Sequence, residues 1–222
     1  MAGDAPTQDG AAARDKRSKL LNGKGQNRRQ QILGEATTLF AKHGYDGASI
    51  RVIARACGIT EAAIYRHFDG KTHLYEEVIR AKAAEHNIAG QLAARSRQES
   101  VEDVLRAVAE HILALAKMDP ELMKLMFSSR LGQGSVADVL FSEIRLPYIR
   151  FVADELTRRI AAGEIREVDP LITARCFVGM VMDCALNIGV WETLADAEFH
   201  AGDVVCNNVP IFARGLTLTV GN

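Results

Sequence analysis

The sequence predicts an all-α chain of about nine helices, a small head followed by a larger helical body. Apolar residues recur at three- and four-residue steps over most of the chain, and no strand-like alternation of any length follows Lys71. Gly44 and Gly58 supply stops, while Asp119-Pro120 and Asp169-Pro170 supply starts, dividing the pattern into helix-sized pieces.

Residues 1-27 carry Leu20 and Leu21 as their one large apolar pair, so a flexible basic arm is expected. Its Arg14, Lys16, Arg17, Lys19 and Lys24 can reach an anionic surface or simply stay solvated. From Arg28, the spacing of Ile32, Leu33, Ala36, Leu39, Phe40 and His43 predicts the first helix, with Gly44 as its stop. Ser49 is the N-cap of a short second helix whose inward face is Ile50, Ile53, Ala54 and Cys57. Gly58 ends it, and Thr60 caps a third that cannot run far past Phe68, because Asp69-Gly70 is a turn dipeptide. Long helices follow: from Lys71 to Arg95, then after a polar break to about Lys117, then from Pro120. Gly132-Gln133-Gly134 precedes a helix from Ser135 to Ala162 that Pro147 can kink or divide. The last two run from Asp169-Pro170 through Trp191 and from Asp196 to about Gly215, with a kink or break predicted at Pro210.

The domains expected are the arm, a head over 28-74 and a body over 75-222. The longest apolar run, Cys176 to Val190, is broken by Asp183 and stops short of spanning a bilayer, so no membrane partner is expected. With no signal-type apolar run near Met1, a cytoplasmic location is expected. Cys57, Cys176, Cys184 and Cys206 lack C-x-x-C spacing and lie in apolar patterns, which reads as small buried hydrophobes rather than disulfides or a zinc site. Charge is divided unevenly. Residues 1-71 hold 12 Lys/Arg against 7 Asp/Glu, while residues 72-222 hold 15 against 21, so an anionic partner is expected at the N-terminal end.

The third helix identifies what that partner is. At 100° per residue Ile64 and Phe68 fall on one side, Ala62 and Arg66 opposite, with Ala63 and Tyr65 flanking. A helix so short is held by packing of its apolar side and leaves the other side for a partner. Small residues permit close approach, while Thr60, Tyr65 and Arg66 suit phosphates and base edges in a major groove.

The run "ASIRVIARACGITEAAIYRHFDGKTHLYEEVI", residues 48-79, resembles the helix-turn-helix of the TetR family of transcriptional regulators. "ILGEATTLFAKHGYDGAS" before it is similar to the family's first helix, and "IFARGL" near the C-terminus looks like a common family ending. The resemblance is specific over about residues 29-79. Carried over by position, it implies that Ser49 and Thr60 cap their helices and touch phosphate, and that Tyr65 and Lys71 contact phosphate. Arg51, Glu61, Ala62, Ala63 and Arg66 then lie near bases. Glu61 departs from the Lys or polar residue often found there and can accept from a cytosine amine or pair with a neighbouring cation. His67 reads as packing and capping.

The resemblance further implies a homodimer on a palindromic operator, paired through the last two helices, here 170-193 and 196-215, with Phe177, Val181, Ala185, Gly189 and Phe212 as interface residues or, alternatively, monomer core. It also implies a small effector among the body helices. The lining residues expected are His86, His111, Met118, Met123, Met126, Phe127, Phe141, Tyr148, Phe177, Met180 and Trp191, each of which also fits ordinary core. As a group they favour an apolar or aromatic effector. No metal or other cofactor is expected.

Enzyme motifs are missing from the sequence: it has no H-E-x-x-H, G-x-x-x-x-G-K-[ST] or G-x-S-x-G, and its "GQGS" at 132-135 lies between helices. The expectation is a DNA-binding regulator released by its effector, repressor before activator, with a ligand-independent DNA-binding regulator as an alternative and a helical adaptor or an enzyme without DNA binding as remote ones.

Overall fold

The computed structural model describes residues 8–93, 100–128, 135–189 and 200–218, and no strand occurs among them. The helices are α1 Gln8–Gly47, α2 Ile50–Ala56, α3 Glu61–Tyr65, α4 Lys71–His86, α5 Ile88–Ala93, α6 Val101–Met118, α7 Pro120–Ser128, α8 Ser135–Leu140, α9 Leu146–Ala161, α10 Pro170–Gly189 and α11 Ala201–Arg214. A π-helical turn, Phe141–Arg145, joins α8 to α9. Closing the interruptions at Asn87 and at the π turn returns the nine helices expected.

Residues 8–27 differ from the expected arm, because they continue α1 as helix. Once the face from Ile32 to Phe40 has nucleated α1, the Arg, Lys and Gln residues before it and Ala11, Ala12 and Ala13 favour propagation, against the cost of Gly23 and Gly25. Gly44, at φ 71°, breaks the helical path where expected, in a conformation that favours glycine. His43 lies on the surface rather than on the inward face.

The head closes on one core. Ile32, Ala36 and Phe40 of α1 meet Ile53 of α2, Ile64 of α3, and Phe68, Leu74 and Tyr75, all buried. The Phe40 and Tyr75 rings meet edge to face at 5.0 Å. Tyr75 then reaches beyond the head, its hydroxyl donating to the Leu125 carbonyl at 3.3 Å. α4 therefore belongs to both halves. Its first turns complete the head, and its side packs against α8 and the π turn.

In the body, α10 packs against α6, α7, α9 and α11. Over Pro170–Ile188 it is long and apolar enough to cross a membrane, but its Phe177, Val178, Val181, Met182, Ala185 and Leu186 are buried in the core. Asp169 caps it, accepting from the Ile172 amide at 2.8 Å. Asp119 caps α7 in the same way, through the Leu122 amide at 3.0 Å. Three expected helices end differently. The one from Lys71 divides at Asn87, whose φ of 42° closes α4 in a left-handed cap that Asn tolerates. The helix from Ser135 divides at the π turn just before Pro147, which sits in the first turn of α9, where a missing N–H costs little. Of the kink or break expected at Pro210, the break does not occur, since α11 continues through it. Asp196 lies outside the described residues.

The cysteines also depart from expectation. Cys57 is buried and Cys184 half-buried, but Cys176 and Cys206 are exposed, on the outer sides of α10 and α11. Burial pushes the Cys57 thiol above its ordinary value, with Glu35 adding to it.

Candidate functional site

Two places bring chemistry-bearing residues together. The first is the outer side of α2 and α3. Ser49 Oγ accepts from the Val52 amide at 3.3 Å and Thr60 Oγ1 from the Ala63 amide at 3.3 Å, so both hydroxyls start their helices as expected. Between them Gly58 turns the chain at φ 64°, where a residue with a β-carbon would be strained. Ile64 and Phe68 are buried, while Glu61, Ala62, Tyr65 and Arg66 of the same short segment are exposed and Ala63 is half-buried. Tyr65 keeps 54% of its surface, a large exposure for an aromatic side chain. Arg51 and Arg55 lie exposed on α2 beside this face, with Val52 between them. Arg55 and Val52 were missed in the sequence, although the 100° step applied to the third helix could have found them on the second.

Lys71 stands slightly apart. Its ammonium lies 4.3 Å from the centroid of the Tyr45 ring and 3.4 Å from the Asp46 carbonyl, while the Tyr45 hydroxyl bonds Thr72 at 2.7 Å. This holds a half-buried cation at the start of α4. His67 is half-buried beside Phe68, in keeping with a packing role. Arg29 of α1 ties the head together: its guanidinium lies 5.0 Å from the Phe68 centroid and pairs with Glu77 of α4. Burial raises the Glu77 carboxyl, but hydrogen bonds from Arg29 and Arg80 outweigh it and hold the group below its ordinary value.

The second place is a cavity of about 320 Å³ in the body, lined by Met126 of α7, Ala137, Asp138 and Leu140 of α8, Phe141 and Arg145 of the π turn, and Met182 and Leu186 of α10. Of the described residues expected to line a pocket, Met126 and Phe141 do so. The others are occupied elsewhere. His86 Nε2 lies 2.8 Å from Asp119, the Tyr148 hydroxyl bonds His111 at 2.8 Å, the Phe177 ring meets that of Phe212 at 5.0 Å with a tilt of 60°, and Met123 is core. Met118, 68% exposed, lies at the surface, Phe127 and Met180 pack against the core, and Trp191 lies outside the described residues. Burial pushes the Tyr148 phenol well above its usual value, so it remains protonated.

Of the residues read as dimer interface or, alternatively, monomer core, three fall in the protomer's core. Phe177, Val181 and Ala185 have no exposed surface in the protomer, because they form the seam between α10 and its neighbours, and Phe212 is half-buried. The large apolar side chains that α10 and α11 leave exposed are Leu171, Ile172 and Ile211, of which Ile172 is 61% and Ile211 64% exposed. Gly189 ends α10 as described.

Comparison with known proteins places this geometry in context. Residues 32–78 match the family described as bacterial regulatory proteins, tetR family. Over 162 residues the chain is 28% identical to the HTH-type transcriptional repressor AcnR of Corynebacterium glutamicum, covering 71% of this chain and 79% of that protein. Over 171 residues it is 27% identical to the HTH-type transcriptional repressor Rv1474c of Mycobacterium tuberculosis, covering 77% and 84%. Among solved structures it shares its fold with the transcriptional regulator FadR from Bacillus subtilis in complex with stearoyl-CoA, at a TM-score of 0.68 and 18% identity, covering 84% of this chain and 98% of that one. It likewise superposes on AibR in complex with isovaleryl coenzyme A and operator DNA, at 0.61 and 24%, covering 83% and 97%.

Proposed function

We infer that this chain, a DNA-binding transcriptional regulator of the tetR family, represses transcription as a homodimer on a palindromic operator and is released by a small effector in the body cavity. The observation that carries the reading is the outward face of α3, capped by Thr60 and pinned from behind by Ile64 and Phe68. In this reading Arg66 and Arg51 approach base edges, where a guanidinium can bond a guanine at two atoms. Ser49, Thr60, Tyr65 and Lys71 approach phosphates, and Glu61, Ala62 and Ala63 line the groove. The head acts through residues 28–74, and the remaining body senses the effector and dimerises.

Dimerisation is supported by the apolar side chains left outward on α10 and α11. Two heads about 34 Å apart can occupy successive major grooves, joining two weak contacts into one strong one. Replacing both Ile172 and Ile211 by Glu is expected to give a monomer by sedimentation, with operator binding lost. A dimer that survives both changes would place the interface elsewhere.

Release is supported by where the cavity wall stands. Its α8 and π-turn side packs on α4, which carries the head, and Glu143 of the π turn lies 3.9 Å from Arg80 of α4. A ligand that moves this wall moves α4, and α4 sets the separation of the two heads.

The test is a gel-shift titration on the DNA upstream of the gene, with scrambled DNA as competitor, at two salt concentrations. Arg66→Ala is expected to cost about 1–3 kcal/mol and to relax base preference at one position of each half-site. Lys71→Ala is expected to weaken all sequences alike and to reduce the salt slope by about 1. Identical losses of affinity and preference from both variants would contradict these roles.

A further inference from the structure

We propose that the ligand of the body cavity is an amphipathic acid, an apolar body of roughly ten carbons bearing one carboxylate that Arg145 receives. This rests on reading the cavity as the effector site and adds the chemical class of what fills it. The walls set the body of the ligand. Met126, Ala137, Leu140, Phe141, Met182 and Leu186 offer methyl, thioether and ring surface, and the two methionines can adapt to its shape. At about 320 Å³ the cavity is roughly twice the 150 Å³ that holds a benzene ring.

The charge comes from one wall. Arg145 sits on the π turn with its guanidinium Nη2 only 3.8 Å from where a β-carbon on Gly179 would stand, so α10 approaches it with bare backbone. A second guanidinium, of Arg175 on α10, lies 5.5 Å from the centroid of the Phe141 ring, and Phe141 lines the cavity. Arg175 is itself exposed, so among the described residues Arg145 is the cation set into the cavity wall. The acidic lining residue, Asp138, is exposed on α8, where water screens it. A guanidinium beside an apolar cavity favours a ligand that brings the opposite charge, and its planar fork matches the two oxygens of a carboxylate. With one arginine among the described lining residues, the site suits a monoanion better than a phosphate dianion, which needs more donors.

The test uses calorimetry on the full chain with octanoate, 1-octanol and octylamine, followed by decanoate and octanoyl-CoA, and scores operator release in parallel. Octanoate is expected to bind at least tenfold tighter than octanol, with octylamine weakest. In Arg145→Met that preference should vanish while octanol still binds within about twofold, and Arg145→Lys should restore part of it. Equal binding of acid and alcohol by the unaltered chain, which needs no variant to fold, would overturn the proposal and leave the cavity reading standing. So would octanoyl-CoA binding alone, with octanoate no better than octanol. If none of these compounds binds or releases the operator, the cavity reading falls and the proposal with it.

Discussion

Asp119→Ala is expected to lower the stability of the folded chain by about 3 kcal/mol, moving the thermal midpoint down by about 6–12 °C. Asp119 is 6% exposed and uses both oxygens. Oδ1 caps α7, while Oδ2 lies 2.9 Å from Lys82 Nζ and 2.8 Å from His86 Nε2, both in the last turns of α4. Removing the carboxylate strands a largely buried ammonium, which is what makes the loss of one partner so costly. Glu85 and Glu121, 3.7 Å and 3.8 Å from Lys82, keep the effect at the lower end. Asp119→Asn retains the cap and should cost less.

The same cluster fixes a dependence on pH. Burial raises the Asp119 carboxyl, but hydrogen bonds from His86, Lys82 and the Leu122 amide outweigh it, leaving the group below its ordinary value. Its contribution is thus complete above about pH 4 and lost as pH falls through the lower folded value. Burial lowers the Lys82 ammonium, yet the bond to Asp119 and the nearby carboxylates carry it above its ordinary value. That contribution is complete below about pH 10 and lost as pH rises through the higher folded value. Denaturant titrations from pH 3 to pH 7 should show an acid-side slope in the unaltered chain and a shallower one in Asp119→Ala.

Phe68→Ala is expected to cost about 3–5 kcal/mol and to reduce operator affinity by more than tenfold even where the chain remains folded. Phe68 is 1% exposed and fills the space behind α3, with the Arg29 guanidinium 5.0 Å and the His73 ring 6.0 Å from its centroid. α3 has five residues, too few to persist without that support. The cavity therefore frees the helix that meets DNA as well as lowering stability. Urea denaturation gives the first effect and gel shift below the midpoint the second, and Phe68→Leu, which keeps most of the volume, should show less of both. Full operator affinity in Phe68→Ala would mean that α3 is held by something other than this contact.

The head was legible because its signals are local. Ser49, Gly58 and Thr60 each fix a boundary within one turn, and Ile64 and Phe68 follow from helical spacing. Asp119-Pro120 and Asp169-Pro170 were readable for the same reason. The cavity was not, because helical spacing gives which side of a helix is apolar and not which partner it faces. Met126 and Met123 look alike in sequence, yet one lines the cavity and the other fills the core. Arg145 escaped because a charged residue on an amphipathic helix ordinarily reads as solvated. Phe177 and Val181 were apolar enough for an interface, but the monomer's own helices claim them.

The π turn makes chain length a determinant of cavity shape. It closes with the Leu146 amide donating to the Phe141 carbonyl five residues back, so the segment holds one residue more than an unbroken α-helix needs. Pro147 follows at once and has no amide to pass on, which pins the surplus residue between Phe141 and Arg145. Losing one residue there would rotate α8 by about 100° against α9, carrying Ala137 and Leu140 off the cavity while the composition of its lining stayed almost the same. Relatives with a one-residue deletion at this point would share the walls of this cavity in name but enclose a different space.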